Sequence, residues 1–203
     1  MRNGLLNMRS CFYAILAVVI LMVCVVGCDT SDGKTEEFPD WKNTNLRFFQ
    51  SLSDSVEKGQ KDKRWTRMLT WTKTDSSATK QVTDYIIVQK LQIGTSEDKC
   101  PLYTDSVKVQ YLGRLLPSTS YPKGLIFDKT GSGEELNPET FTNRKFLVSS
   151  LTAGFSTALQ NMHKGDWWRI YVPHTLGYGE TAGNSIPAYS VLIFDIRLTD
   201  FWH

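Results

Sequence analysis

Three segments of this chain alternate apolar and polar residues with a period of two. In "DSVKVQYLGRLL", Val107, Val109 and Tyr111 face one way and Lys108 and Gln110 the other. In "DWWRIYVP", Trp168, Ile170 and Val172 alternate with Trp167, Arg169 and Tyr171. In "SVLIFDIRL", Leu192, Phe194, Ile196 and Leu198 share a face. Successive side chains of a strand point to opposite faces, so each segment reads as a strand with one apolar side. The β-branched "DYIIVQKLQIG" is a further candidate. So is "RWTRMLTWT", with Trp65, Arg67, Leu69 and Trp71 on one side.

Two segments keep a helical period instead. In "WKNTNLRFFQSLSDSVEKG", Leu46, Phe49, Leu52 and Val56 recur at helical spacing; Asn43 or Thr44 can cap the start and Gly59 can stop it. In "GFSTALQNMHKGD", Phe155, Ala158, Leu159 and Met162 fall at i, i+3, i+4 and i+7. Ser156 or Thr157 can cap this second helix and Gly165 can end it. Many strands and one short core-facing helix predict an α+β fold, the helix packed on a curved antiparallel sheet.

The first residues belong to another purpose. Arg2 and Arg9 precede an unbroken apolar run, Cys11–Val26, which stops at "VVGC". A basic start, a short apolar core and small residues at the cut describe a secretory signal over 1–27. The run is short for a membrane span, although an uncleaved anchor is the alternative. "VVGC" resembles the lipobox of bacterial lipoproteins, which implies a lipid on Cys28. The expected product is an exported chain held on a bacterial membrane, with the periplasmic side and the cell surface both open. Residues 28–40, which include the polar "DTSDGKTEEFPD", read as a flexible tether. Residues 41–83 read as an N-terminal extension of helix plus strand, and 84–203 as the main domain.

Removing the signal leaves only Cys100 free to pair, so no intramolecular disulfide is expected and an apolar core must carry the stability. The signal also removes two of 23 Lys and Arg and none of 21 Asp and Glu, leaving 21 against 21. Such a balance offers no basic field for nucleic acid. The three histidines and Cys100 show no ligand spacing, so no metal is expected. Neither a Gly-x-Ser-x-Gly elbow nor a phosphate loop occurs, and no cofactor is expected. Between Leu116 and Phe146 lies a long Pro-, Gly- and Ser-rich stretch holding one apolar island, "GLIFD". Loops of that length are usually functional.

Aromatic and aliphatic residues gather on loops and strand ends in a fixed order: "VQYLG", "GLIFD", "SLTAGFSTAL", "MHKGD", "LGYGE", "SIPAYS" and "LIFD". From Asp84 to the C-terminus this series resembles the FKBP-type peptidyl-prolyl cis-trans isomerases. The resemblance implies an antiparallel half-barrel of five or six strands wrapped around the short helix. It implies Phe155 as the floor of a proline pocket, Tyr111, Phe127 and Phe194 as walls, and Leu151 and Ile186 as apolar contacts. It implies that the Thr152 N–H and the Tyr178 hydroxyl bind substrate carbonyls, and that Asp128 orients Tyr111. Proline-containing exported polypeptides are the implied partners, with the chain acting as a monomer. Phe155 stands where the family pattern has Trp, and Thr152 where it has an aliphatic residue. These departures leave a peptide-binding or chaperone module as the alternative to an enzyme. From the residues alone, Tyr111, Phe155 and Phe194 could equally be core, and Asp128 could equally cap a turn.

Overall fold

The computed structural model describes residues 36–203 except 75, 77, 78, 95–98, 182 and 184. The signal, Cys28 and the tether up to residue 35 lie outside the described residues. The order is α1 (Trp41–Glu57), β1 (Trp65–Leu69), β2 (Tyr85–Gln92), β3 (Ser106–Arg114), β4 (Ile126–Lys129), β5 (Arg144–Leu147), α2 (Ala153–Leu159), β6 (Trp167–Val172) and β7 (Leu192–Trp202). The strands make one sheet in the order β1-β2-β6-β7-β3-β4, and β5 also pairs with β3. Every pairing is antiparallel. This is an α+β fold of the half-barrel type, with seven strands. The sheet is wider than five or six because β1 of the extension joins its edge and because "GLIFD" and "RKFL" are strands, β4 and β5, inside what reads as loop.

The inner face of the sheet holds the core. Val107, Val109, Ile170, Leu192, Ile196 and Leu198 are all fully buried there, against Phe155, Ala158 and Leu159 of α2. Helix α2 is shorter than its sequence pattern. It begins after Thr152 and ends at Leu159, so Met162 is buried beyond it and Gly165 sits in a later turn. Ser156 and Thr157 are not caps. Their hydroxyls donate to Val148 O and Ala153 O, both at 2.7 Å. The peptide groups there need satisfying because both residues are buried.

Helix α1 covers the outer face at one end. Ile87 pairs with Tyr171 in register and shares that face, and the Phe48 ring lies 6.0 Å from the Tyr171 ring. Ile86, Ile87 and Val88 are therefore all buried, which is why β2 reads as a continuous apolar run rather than an alternating one. Asp40 occupies the position before α1, and Asn43 donates to its carboxylate at 2.6 Å, so neither Asn43 nor Thr44 is the cap. Gly59, with φ +67, does end the turn after the helix. Trp71 lies past the end of β1 and is exposed.

Two polar side chains tie α1 to the segment that leads into β7. Asn45 is fully buried; its Oδ1 accepts from Val191 N–H at 2.7 Å and its Nδ2 donates to Trp41 O at 2.7 Å. Trp41 Nε1 donates to Ser190 Oγ at 2.8 Å. Just before the helix, Glu37 Oε1 accepts from Ser118 Oγ at 2.6 Å and from Ser120 N–H at 2.9 Å. Residues 36–40, expected as tether, are thus bonded across the 118–120 loop.

Candidate functional site

Where the inner faces of β3 and β7 meet the start of α2, aromatic rings pack edge to face. The centroids of Phe155 and Phe194 are 5.0 Å apart at 82°, and those of Tyr111 and Phe155 5.9 Å apart at 86°. Such T-shaped pairs match the positive ring edge to the negative face. Gly113 makes the arrangement possible. It pairs with Phe194 across the sheet, and a Cβ on it would stand 2.7 Å from both Phe127 Cζ and Phe194 Cε1.

The rings enclose a cavity of about 190 Å³. Phe155 is its floor and is almost fully buried. Tyr111, Phe194 and Phe146 are its walls; Leu151, Thr152 and Ser150 line it from the α2 entry, and Asp128 and Tyr178 from the opposite rim. Cofactor and drug-sized sites usually run to roughly 300–1,000 Å³. This one suits a single small ring.

Three polar groups meet at one wall. Strand β4 pairs with β3 and sets Asp128 opposite Gly113; β5 pairs with β3 and sets Arg144 opposite Val109. Tyr111 Oη donates to Asp128 Oδ2 at 2.5 Å and accepts from Arg144 Nη1 at 3.0 Å. Arg144 also lies 3.8 Å from Asp128 Oδ1. Burial, and then the hydrogen bond to Asp128, push the Tyr111 pKa well above the ordinary phenol value. Tyr111 is therefore a neutral, fixed hydroxyl.

Tyr178 differs. A one-turn 3-10 helix, His174–Leu176, precedes it, and the N–H groups of Gly177 and Gly179 both donate to His174 O, at 3.0 and 2.8 Å. Gly179 has φ +79, a conformation that costs glycine little. A Cβ on Gly177 would stand 2.9 Å from Leu192 Cδ1. The two glycines bring the loop down onto β7 and leave Tyr178 standing over the cavity, 54% exposed. Burial of its inner part and the charge of Asp128 raise its pKa. Among the described residues neither its hydroxyl nor the Thr152 N–H has a hydrogen-bond partner, and both residues line the cavity.

The structure therefore brings Tyr111, Asp128, Leu151, Thr152, Phe155, Tyr178 and Phe194 around one cavity. Phe127 and Ile186 do not line it. They line an adjoining hollow of about 480 Å³, which shares Asp128 and Tyr178 with the first. Phe127 reaches the cavity only through the back of Phe194, at 5.4 Å between centroids. The sequence reading missed Phe146, Ser150 and Arg144. Strand β5 is four residues long with only one partly buried side chain, so its alternation leaves no signal. Among the described residues, no group of three or more His, Cys, Asp or Glu could hold a metal ion.

Residues 98–199, half of the chain, match the family described as FKBP-type peptidyl-prolyl cis-trans isomerase. The chain belongs to that family. It is similar to the macrophage infectivity potentiator of Trypanosoma cruzi, with 35% identity over 114 residues, 56% of this chain and 51% of that protein. It is similar to the FKBP-type 22 kDa peptidyl-prolyl cis-trans isomerase of Escherichia coli K12, with 33% identity over 109 residues, 53% of this chain and 47% of that protein. An outer membrane protein MIP of Legionella longbeachae is 35% identical over 99 residues, 48% of this chain and 37% of that protein. The chain spans about half, or less, of the length of these curated relatives. Among solved structures, FkpA of Escherichia coli is similar with a TM-score of 0.54 at 20% identity, covering 99% of this chain and 73% of that one. A peptidyl-prolyl isomerase of Pseudomonas syringae is similar with a TM-score of 0.53 at 24% identity, covering 80% and 96%. These likenesses show the FKBP fold. Its sheet and short helix are the parts that build the aromatic cavity.

Proposed function

We propose that this chain is a peptidyl-prolyl cis-trans isomerase whose proline ring binds in the cavity floored by Phe155. The observation that carries the reading is the pairing of a small aromatic basket with two donors on its lining, Thr152 N–H and Tyr178 Oη, that have no partner among the described residues. An X-Pro bond rotates over a barrier of about 18–20 kcal/mol and needs no proton transfer or bond cleavage. As the bond twists, the amide loses resonance and becomes less charge-separated. A water-poor wall of Phe155, Phe194 and Tyr111 favours that state over the planar amide. The two donors hold the neighbouring carbonyls while the bond turns. Asp128 fixes Tyr111 and supplies a negative charge beside the rotating carbonyl. Each ~1.4 kcal/mol of such differential binding is worth about tenfold in rate.

The same reading extends to location and role. The signal, the lipobox-like "VVGC" and the family's outer-membrane relative support an exported, Cys28-lipidated chain, which in this reading acts as a monomer on proline-containing exported polypeptides. Among the described residues no helix is long and apolar enough to cross a membrane. The activity is tested by proline isomerisation of a short peptide. Lipidation is tested by the mass of the mature N-terminus in wild type and Cys28→Ala.

A further inference from the structure

The hollows on this face form a series. The aromatic cavity shares Asp128 and Tyr178 with the hollow of Phe127 and Ile186. That hollow shares Ser185 and Ile186 with a third, of about 450 Å³, closed by Phe38, Tyr121, Leu125, Pro187 and Glu37. The third hollow joins a part outside the family match, the strap at 36–40, to the "PSTSYPKG" loop and the 185–187 segment within it.

It is a built hollow, not a chance gap. Glu37 accepts from both Ser118 and Ser120, and Thr119 Oγ1 donates to Glu36 O at 3.0 Å. Phe38 packs edge-on against Trp41 at 4.7 Å, and Trp41 is itself bonded to Ser190. The strap is thus held at both ends. Between these ties the lining is apolar, and the Tyr121 ring, 42% exposed, stands free on the loop. Phe38, Tyr121, Leu125, Ile186 and Pro187 offer contact area with few polar groups to satisfy, which suits an apolar or aromatic side chain.

We infer that the substrate's own polypeptide chain runs on from the proline cavity over Ile186, and that the Phe38–Tyr121 hollow takes an apolar or aromatic side chain of that same chain. This rests on the proline reading of the first cavity. Continuity decides the occupant: the hollows share side chains at each junction, and an extended chain advances about 3.3–3.6 Å per residue, so a few residues cross from one to the next. The hollow is then a specificity site, selecting prolines by a residue some positions away.

The test uses the full-length chain in lipid nanodiscs. One substrate is a four-residue proline peptide. The others are longer peptides with a single Phe in a Ser background, stepped through positions on both sides of the proline. At one or two positions kcat/KM rises about tenfold over the all-Ser peptide. Tyr121→Ala and Phe38→Ala each abolish that rise and leave the four-residue peptide unaffected; Tyr121 is exposed, so its variant keeps the fold. No favoured position, or a rise that survives both substitutions, overturns the inference while the proline reading stands. A rise that fades as protein concentration increases places a second copy of the chain in the hollow and also overturns it. A four-residue peptide that the wild type fails to accelerate removes the proline reading and this inference with it.

Discussion

Tyr111 Oη donates to Asp128 Oδ2 at 2.5 Å and accepts from Arg144 at 3.0 Å, so one phenol links a carboxylate and a guanidinium at the cavity wall. Removing the phenol hydroxyl breaks the first bond, and removing the carboxylate's charge weakens it and takes the negative charge from the wall. Tyr111→Phe and Asp128→Asn are each expected to lower kcat/KM by roughly tenfold, about 1.4 kcal/mol of transition-state binding. Asp128 is half exposed, so the melting temperature of its variant should stay within a few degrees of wild type. An unchanged kcat/KM in both variants would show that this wall plays no part in catalysis.

Gly113→Ala tests how tightly the basket is packed. Its new methyl meets Phe127 and Phe194 at distances no real contact shows. Overpacking of this kind costs about 1–3 kcal/mol. Because the displaced rings are the cavity wall and its support, activity should fall more than stability does. Urea denaturation alongside peptide turnover separates the two losses.

Helix α1 depends on one buried amide. Asn45→Leu leaves the Val191 N–H buried and unpaired, which costs about 1–3 kcal/mol. At ~2–4 °C per kcal/mol for a domain of this size, thermal unfolding should shift down by several degrees. Hydrogen exchange at Val191 should speed up with it. A melting temperature equal to wild type would mean that α1 is not anchored there.

His174 gives the acid limb a handle. Burial lowers its pKa, the Glu180 charge opposes this, and Lys42 adds to it. An unfolded imidazole titrates near about 6.5, so below that pH the unfolded chain binds the proton that the folded chain refuses. Stability should therefore be full above about pH 7 and fall as the pH drops through the unfolded value. His174→Phe should flatten this part of the curve when urea midpoints are compared between pH 5 and 8. Parallel curves for the two proteins would contradict the buried-neutral assignment.

The sequence carried the sheet more clearly than the ends of its elements. Strands β3, β6 and β7 are legible because one face is core, so their period of two survives as apolar against polar. Strand β2 is legible only as β-branched richness, because α1 covers its second face and erases the alternation. The helix ends were misread for one reason. Ser156, Thr157 and Asn43 have capping chemistry, but tertiary packing decided which backbone groups needed it. Within the site, Tyr111, Phe155 and Phe194 lie on regular elements and can be placed by register. Arg144 and Phe146 lie on a strand too short to leave a period. Phe127 packs on Gly113 beside Phe194 and so lines the neighbouring hollow, while Ile186 reaches that hollow from a loop bridge to Gly183 that leaves no period in the sequence. The strap at 36–40 was invisible because its bonds run to a loop some 80 residues away in sequence.

The central claim is that the Phe155 cavity turns X-Pro bonds, with Tyr178 above it as a donor. The most direct measurement is proline isomerisation of a short peptide by the full-length chain, beside Tyr178→Phe, which removes only the hydroxyl. Wild type should accelerate the exchange well above the uncatalysed rate, and Tyr178→Phe should lower kcat/KM by several-fold with the fold intact. A well-folded wild type that leaves the rate at background would contradict the account.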